Sequence, residues 1–363
     1  MNEKRFSPYS RQYIDNEDII NVSKVLGCDL ITQGPNVEKF EDSLSKYCGT
    51  RFCVVFSSGT ASLHAAYFAA GIEKQDIIIT SPYTFCATSN AALYLGAKVI
   101  FCDVESDTAN MSVDYLQYLL KKYRNNKRIK SVVPVDFAGH PAELDEIVKL
   151  TKKYNKNIVV IEDACHALGA LYNGKKVGSI SDMTVFSFHP VKSITTGEGG
   201  AVVTNNKRFY ERLKIFRHHG IVKKKDWLYD MIYLGNNYRM TDIQCSLGIS
   251  QLKKLDDFIE KRRKIAEQYK NIFSEQEFFD LPVERENVKS SYHLFPIRLK
   301  GKCEKNKRKI FRELRDKGVG VQVHYIPVHL HPYYKSLGFK EGQFPSAESF
   351  YKKELSIPIF QSM

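Results

Sequence analysis

The chain has no C-x-x-C pair, no uninterrupted apolar run of membrane length, and no internal repeat or low-complexity tract. Each absence removes a class of protein. Without paired spacing, the eight cysteines (Cys28, Cys48, Cys53, Cys86, Cys102, Cys165, Cys245 and Cys303) read as core thiols, not as a disulfide framework, and no metal site is expected. The longest near-apolar stretch, Thr84 to Cys102, is broken by Ser89, Asn90, Gly96 and Lys98, which suits a helix followed by a strand and excludes a membrane span. The opening MNEKRFSPYS carries no apolar run of signal-peptide length, so a cytoplasmic location is expected. No helix-turn-helix, zinc-finger or aromatic RNA-binding signature accompanies the basic residues, so neither nucleic acid nor a membrane is an expected partner.

What remains is an ordinary globular composition. Of 363 residues, 43% are hydrophobic, 12% aromatic and 26% charged, enough to bury a sizeable core and too apolar for disorder. At roughly 150 residues per domain, this length predicts one large unit and one smaller one. Lys and Arg number 54 against 41 Asp and Glu, a net +13. The excess is spread through Lys121–Lys130, Lys223–Lys225, Lys253–Lys264 and Lys300–Lys309, as on solvated helix faces.

From Gly59 to Thr204, apolar strands alternate with amphipathic helices, which predicts an α/β unit around a mostly parallel sheet. Besides Cys53–Phe56, candidate strands are Ile77–Thr80, Val99–Asp103, Ser131–Val135, Ile158–Glu162, Met183–Phe188 and Ala201–Thr204. Candidate helices are Ala61–Ala70, Cys86–Leu95 and Glu143–Tyr154, the first two stopped by Gly71 and Gly96. Thr241-Asp242 can cap one long helix carrying Ile243, Leu247, Leu252, Leu255, Ile259 and Ile265, read as a bridge between a large domain (1–252, with an N-terminal arm) and a small α+β domain (253–363). In the latter, Tyr292–Leu299 and Val319–Tyr325 read as strands and Lys305–Lys317 as a helix.

Three segments carry chemistry. Ser57-Ser58-Gly59-Thr60-Ala61-Ser62 joins a strand to a helix, where free N–H groups and the helix dipole suit a phosphate; a plain N-cap is the other reading. Ile158–Glu162 runs into Asp163-Ala164-Cys165-His166, placing an acid and a histidine at a strand's carboxyl end; Asp163 there can pair with a protonated pyridine nitrogen, cap a helix or hold magnesium. Phe186-Ser187-Phe188-His189-Pro190-Val191-Lys192-Ser193-Ile194-Thr195-Thr196-Gly197-Glu198-Gly199-Gly200 sets one lysine in a polar, Gly-rich loop between two strands, suited to a Schiff base or, more blandly, to solvent. Together they meet the needs of a pyridoxal-phosphate enzyme.

VIEDACHALGA, FSFHPVKSITTGEGGAVVT and GNNYRMTDIQCSLGISQL resemble the sugar aminotransferases of the DegT/StrS type, a family of fold type I pyridoxal-phosphate enzymes, from about Tyr9 to the end of the chain. The resemblance implies Lys192 as the Schiff-base lysine and Asp163 as partner of the pyridine nitrogen. It implies Thr60, Ala61 and Ser187 as phosphate ligands, Phe85 as the stacked aromatic and His166 beside the phenolic oxygen. Asn237, in Gly235-Asn236-Asn237-Tyr238-Arg239, would reach the phosphate from the second subunit of a homodimer. Tyr9, Thr32, Gln33, Gly34, Pro35, Asn237, Gln322, Val323, His324 and Tyr325 match substrate contacts in members that aminate C4 of a UDP-linked 4-keto-6-deoxy-N-acetylhexose with L-glutamate as donor.

Dehydratase relatives carry histidine in place of the Schiff-base lysine; Lys192 is retained, so transamination is favoured over dehydration. Family members usually continue beyond the LSIPIF segment with another helix, whereas this sequence stops at Met363, so the expectation is either that the small domain lacks an element or that the chain is truncated. Competing expectations are a relative acting on another nucleotide-linked keto-sugar (dTDP- or GDP-linked, at C3 or C4) and a regulatory protein that kept the fold without catalysis.

Overall fold

Seven of the apolar segments pair edge to edge in the computed structural model, which describes residues 6–363. They are β1 (Phe52–Phe56), β2 (Ile77–Thr80), β3 (Lys98–Phe101), β4 (Ile129–Val133), β5 (Val159–Asp163), β6 (Met183–Ser187) and β7 (Gly200–Thr204). Their order across the sheet is β1-β7-β6-β5-β4-β2-β3. Only β7 runs against the rest, pairing antiparallel with β1 and β6. The sheet is therefore mixed but mostly parallel, and the carboxyl ends of β1, β2, β4, β5 and β6 all open on one edge.

Because side chains alternate across a strand, each strand feeds two cores. Cys53, Val55, Phe186, Ala201 and Val203 meet Phe40 and Leu44 of the helix Pro35–Cys48 and Cys245 and Leu252 of the helix Asp242–Lys253. Val54, Phe56, Val185 and Val202 meet the helices Gly59–Ala69 and Lys207–Arg217 on the other side. The first pair of helices lies unusually close: a Cβ on Gly248 would fall 2.5 Å from the Phe40 ring, so only glycine fits there. Farther along, Leu116, Leu119, Leu144 and Ile147 cover β2 and β4.

Toward the C-terminus a three-stranded antiparallel sheet forms from β8 (Phe279–Asp280), β9 (Phe295–Leu299) and β10 (Glu354–Ile357), in the order β8-β9-β10. The N-terminal segment ties onto this region, with Ser7 bridged to Val319 and the Tyr9 carbonyl accepting from Ile359 N–H at 3.0 Å. No helix among the described residues is long and apolar enough to cross a membrane.

Four expected elements differ. The long helix after Thr241 is two helices, Asp242–Lys253 and Leu255–Ile272, meeting at Lys254. Its start is as expected, with Thr241 and Gln244 in a capping box. The break falls where Lys254 Nζ reaches Asp15 (2.9 Å) and the fully buried Asp18 (2.7 Å), contacts that only tertiary packing supplies. Lys305–Lys317 is likewise interrupted at Asn306, giving Gly301–Lys305 and Lys307–Asp316. The strand expected from Tyr292 starts only at Phe295, because Ser291 N–H and Leu294 N–H are spent on the Gly139 and Ala138 carbonyls. Val319–Tyr325 forms no strand: it is bridged at Val319 and Gln322 only, and the next available N–H, that of His324, turns to the Glu354 carboxylate.

Candidate active site

The strand ends converge on a cavity of about 460 Å³. Ser58, Gly59 and Thr60 follow β1, Thr84 and Phe85 follow β2, and Val135 follows β4. Asp163 closes β5, Ser187 closes β6, and Lys192 and Glu198 come from the loop between β6 and β7. Tyr9, His293, His324 and Tyr325 complete the wall. A larger cleft of about 620 Å³ lies elsewhere, lined by residues including Gln33, Gly34, Glu41, Arg217, His218 and Arg239; its Glu41 and Arg217 are already paired with each other. The smaller cavity is the chemical candidate because two acids, a lysine and four histidines (His166, His189, His293 and His324) meet there.

Asp163 is held from two sides, Oδ2 accepting from Thr88 Oγ1 at 2.7 Å and Oδ1 from Cys165 N–H at 3.2 Å. The Thr88 hydroxyl lies 2.9 Å from that of Thr84, which donates to it once the Thr88 proton is given to Asp163. At the other end, Ser58 caps the helix Gly59–Ala69 by accepting from Ala61 N–H at 3.1 Å. The first N–H groups of that helix have no intrahelical acceptor. Backbone closes tightly around this turn: a Cβ on Gly59 would lie 2.9 Å from Ser187 Cβ, and one on Gly200 2.6 Å from the Ser58 carbonyl oxygen. That cradle, with the Thr60 and Ser187 hydroxyls beside it, fits an anionic group.

Lys192 sits between these ends on a rigid loop. Phe188 and Gly199 close the loop's neck (2.9 Å), the Thr195 hydroxyl bonds the Phe188 carbonyl (3.1 Å), and Gly197 takes a positive φ of 78°. From outside, Gln244 Nε2 holds the Glu198 carbonyl (2.8 Å) and the Ser10 hydroxyl holds that of Val191 (3.2 Å). The Lys192 amine makes no hydrogen bond among the described residues, and burial pushes its pKa down, opposed by the nearby Cys165 and Asp163.

His166 is buried, and its neighbours settle its protons. Nδ1 accepts from Ala138 N–H (3.3 Å), so the neutral ring donates from Nε2 to the Tyr325 hydroxyl at 3.1 Å. Tyr325 is thereby left with its own proton to offer. Burial holds His166 well below the usual histidine range, with Lys192 and His324 adding to the effect. The His293 ring lies 4.3 Å from that of His166 and is pushed down by burial in the same way.

Of the residues named from sequence, Tyr9, Thr60, Phe85, Asp163, His166, Ser187, Lys192, His324 and Tyr325 line this cavity. Phe85 is open to solvent on one side, with its ring 5.9 Å from that of Tyr325. Ala61 is buried outside the lining, and its N–H is already engaged by Ser58. Thr32, Gln33, Gly34, Pro35, Asn237, Gln322 and Val323 do not reach the cavity of their own chain. Thr88 and His293 were missed. A hydroxyl one helical turn beyond Phe85 was a readable signal for Thr88, whereas nothing local marks His293.

The model for the DegT/DnrJ/EryC1/StrS aminotransferase family matches residues 12–363. The chain is 47% identical over 355 residues to the UDP-4-amino-4,6-dideoxy-N-acetyl-beta-L-altrosamine transaminase of Campylobacter jejuni strain 81-176, covering 98% of this chain and 93% of that one. The Helicobacter pylori protein of the same name is 38% identical over 357 residues, with 98% and 93% covered. Among solved structures, Helicobacter pylori PseC, described as an aminotransferase involved in the biosynthesis of pseudoaminic acid, superposes with a TM-score of 0.92 at 36% identity, covering 98% of this chain and 94% of that one.

The Thr88 contact generates a stability prediction. Thr88→Val removes a buried hydroxyl donor to Asp163 and should cost about 1.5–3 kcal/mol, whereas Thr88→Ser should retain most of it. Urea denaturation of both variants checks this; equal midpoints for Val and wild type would show that the bond contributes nothing.

Proposed function

The chain belongs to the DegT/DnrJ/EryC1/StrS aminotransferase family, and from that premise we propose that it moves the amino group of L-glutamate to C4 of a UDP-linked 4-keto-6-deoxy-N-acetylhexose. The family and the solved relatives imply pyridoxal 5′-phosphate as cofactor. The observation that carries the reading is the Lys192 amine, its pKa pushed down by burial and without a hydrogen bond among the described residues, in the same cavity as Asp163. Support for the sugar comes from the relatives' names, which this chain matches at 47% and 38% identity.

When bound, pyridoxal phosphate supplies an electron sink for a carbanion next to nitrogen. In this reading Lys192 tethers the cofactor. The Lys192 amine would serve as the base that takes and returns the proton at the donor's α-carbon, a task for which a lowered pKa suits it. Asp163, fixed by Thr88 and the Cys165 N–H, pairs with the ring nitrogen and keeps it protonated. Phosphate falls to the Gly59 and Thr60 N–H groups and to the Thr60 and Ser187 hydroxyls, next to Ala61. His166, a donor at Nε2, orients Tyr325 and lies beside the phenolic oxygen, while Phe85 walls the ring. The C-terminal part, 253–363, brings His324 and Tyr325 to the substrate.

Asn237 and Thr32–Pro35 are assigned here to the cavity of a second subunit. Asn237, Thr32, Gln33 and Pro35 are exposed, and Gln33 and Gly34 border the open cleft beside Arg239. Mixing Lys192→Ala with Asn237→Ala protomers should restore activity, since each heterodimer would carry one intact site. Two inactive parents that never complement would argue against sharing.

The substrate is tested by incubating the enzyme with L-glutamate and UDP-, dTDP- and GDP-linked 4-keto and 3-keto sugars, reading products by mass and NMR. An unmatched buried polar group costs about 1–3 kcal/mol, so kcat/KM should favour the UDP-linked 4-keto sugar by about 5-fold to 150-fold. A preference for a dTDP-linked, GDP-linked or 3-keto acceptor would overturn the choice of sugar and leave the aminotransferase standing.

A further inference from the structure

Glu354, Ser356 and His324 form a buried hydrogen-bonded chain that ends in the Lys192 cavity. Its geometry follows from register. Gln322 and Ser356 exchange both backbone hydrogen bonds (3.1 and 2.8 Å), so two places along, His324 stands opposite Glu354. His324 N–H donates to Glu354 Oε2 at 2.9 Å, the Ser356 hydroxyl bonds Glu354 Oε1 at 2.6 Å, and His324 Nδ1 lies 2.9 Å from the Ser356 oxygen. Glu354 and Ser356 are completely buried, and His324 is 6% exposed.

Counting protons fixes the ring. An ionised carboxylate only accepts, so the single Ser356 proton goes to Glu354 and the Ser356 oxygen must accept from His324. The proton of the neutral imidazole then sits on Nδ1. Its Nε2 lone pair has no partner among the described residues, on a side chain that lines the cavity with its ring 5.0 Å from that of Tyr9. If Glu354 takes up a proton, the chain reverses: the carboxyl donates to Ser356, Ser356 donates to Nδ1, and Nε2 becomes an N–H donor.

We propose that Glu354 and Ser356 are positioning residues that set the tautomer of His324, so that Nε2 accepts a hydrogen bond from a hydroxyl or amide N–H of the acceptor sugar while Glu354 is ionised and turns into a donor when Glu354 is protonated. The proposal rests on the substrate class given above and adds a specificity device to that site.

The surroundings make the device responsive near neutral pH. Burial raises Glu354 to about 8, against the opposing Ser356 hydroxyl, Lys307 and the His324 N–H; Lys307 is itself pushed down to about 8 by burial, opposed by Glu354, so the two titrate together. Tyr83 and Tyr325 are the other titratable groups facing it. His324 itself is held down to about 3 by burial and by Lys192, with His166 and His293 also facing it, so it stays neutral throughout. Because the Glu354 pKa is raised, the acceptor form of His324 grows as pH rises through that value and is lost as pH falls below it.

The test is nitrogen-15 NMR of the holoenzyme with labelled histidine, assigning His324 by its loss in His324→Gln. Above a pH of about 8, wild type should show Nδ1 protonated and Nε2 bare, and should exchange toward the reverse as pH falls. Glu354→Gln, whose amide mimics the protonated acid, should hold the Nε2–H form at every pH, and Ser356→Ala should abolish the pH-linked exchange. In kinetics run above a pH of about 8, where wild-type Glu354 is ionised, Glu354→Gln should raise KM for the UDP-linked acceptor roughly 5-fold or more, with a smaller change in kcat, and the difference should shrink as pH falls. One tautomer shared by wild type and Glu354→Gln across the range would overturn the proposal, as would an acceptor KM unchanged by Glu354→Gln above a pH of about 8. Conversion of the wild-type cofactor by L-glutamate alone, followed by absorbance, reports separately on the aminotransferase reading.

Discussion

A half-buried lysine amine with no hydrogen-bond acceptor among the described residues is the constraint around which the site is arranged. An ammonium in such a place is costly, so the amine drifts toward its neutral, nucleophilic form. Its neighbours sharpen the effect. His166, His293 and His324 are all held neutral by burial, with the Lys192 charge adding to the effect, so three rings that would otherwise repel the amine surround it as dipoles. Each ring must then be told which nitrogen keeps its proton. The Ala138 N–H decides this for His166, and the Ser356–Glu354 pair decides it for His324.

The sheet explains why such a cavity exists. Six strands run the same way, and five of them deliver cavity residues at one edge, so Ser58, Thr84, Val135, Asp163 and Ser187 arrive there through backbone direction alone. The one reversed strand, β7, begins where the others end, which turns the Lys192 loop back into the same space. Bonds from Gln244 and Ser10, far away in sequence, then hold that loop still. A lysine on a loop tied at both neck and flanks loses little further freedom when it reacts.

Much of this was legible in the sequence, and the exceptions share a cause. Ile77–Thr80 was placed to the residue and the other sheet strands to within two, because a parallel strand buried on both faces must be a short apolar run. Asp163 and Lys192 stood out because strand end and Gly-rich loop are local patterns. The break at Lys254 depends on Asp18, the shortened strand at Phe295 on the Gly139 loop, and the missing strand before Tyr325 on Glu354. No window of sequence holds both partners of any of these. The same holds for His293 and for the Glu354–Ser356 pair, which reach the cavity through register between distant segments.

The central claim, that Lys192 is the covalent anchor opposite Asp163, is tested most directly by borohydride reduction of the cofactor-loaded protein followed by peptide mapping. The account predicts a reduced pyridoxyl group on the peptide containing Lys192 and on no other lysine. Finding it elsewhere, or finding equal labelling in Lys192→Ala, would contradict the account.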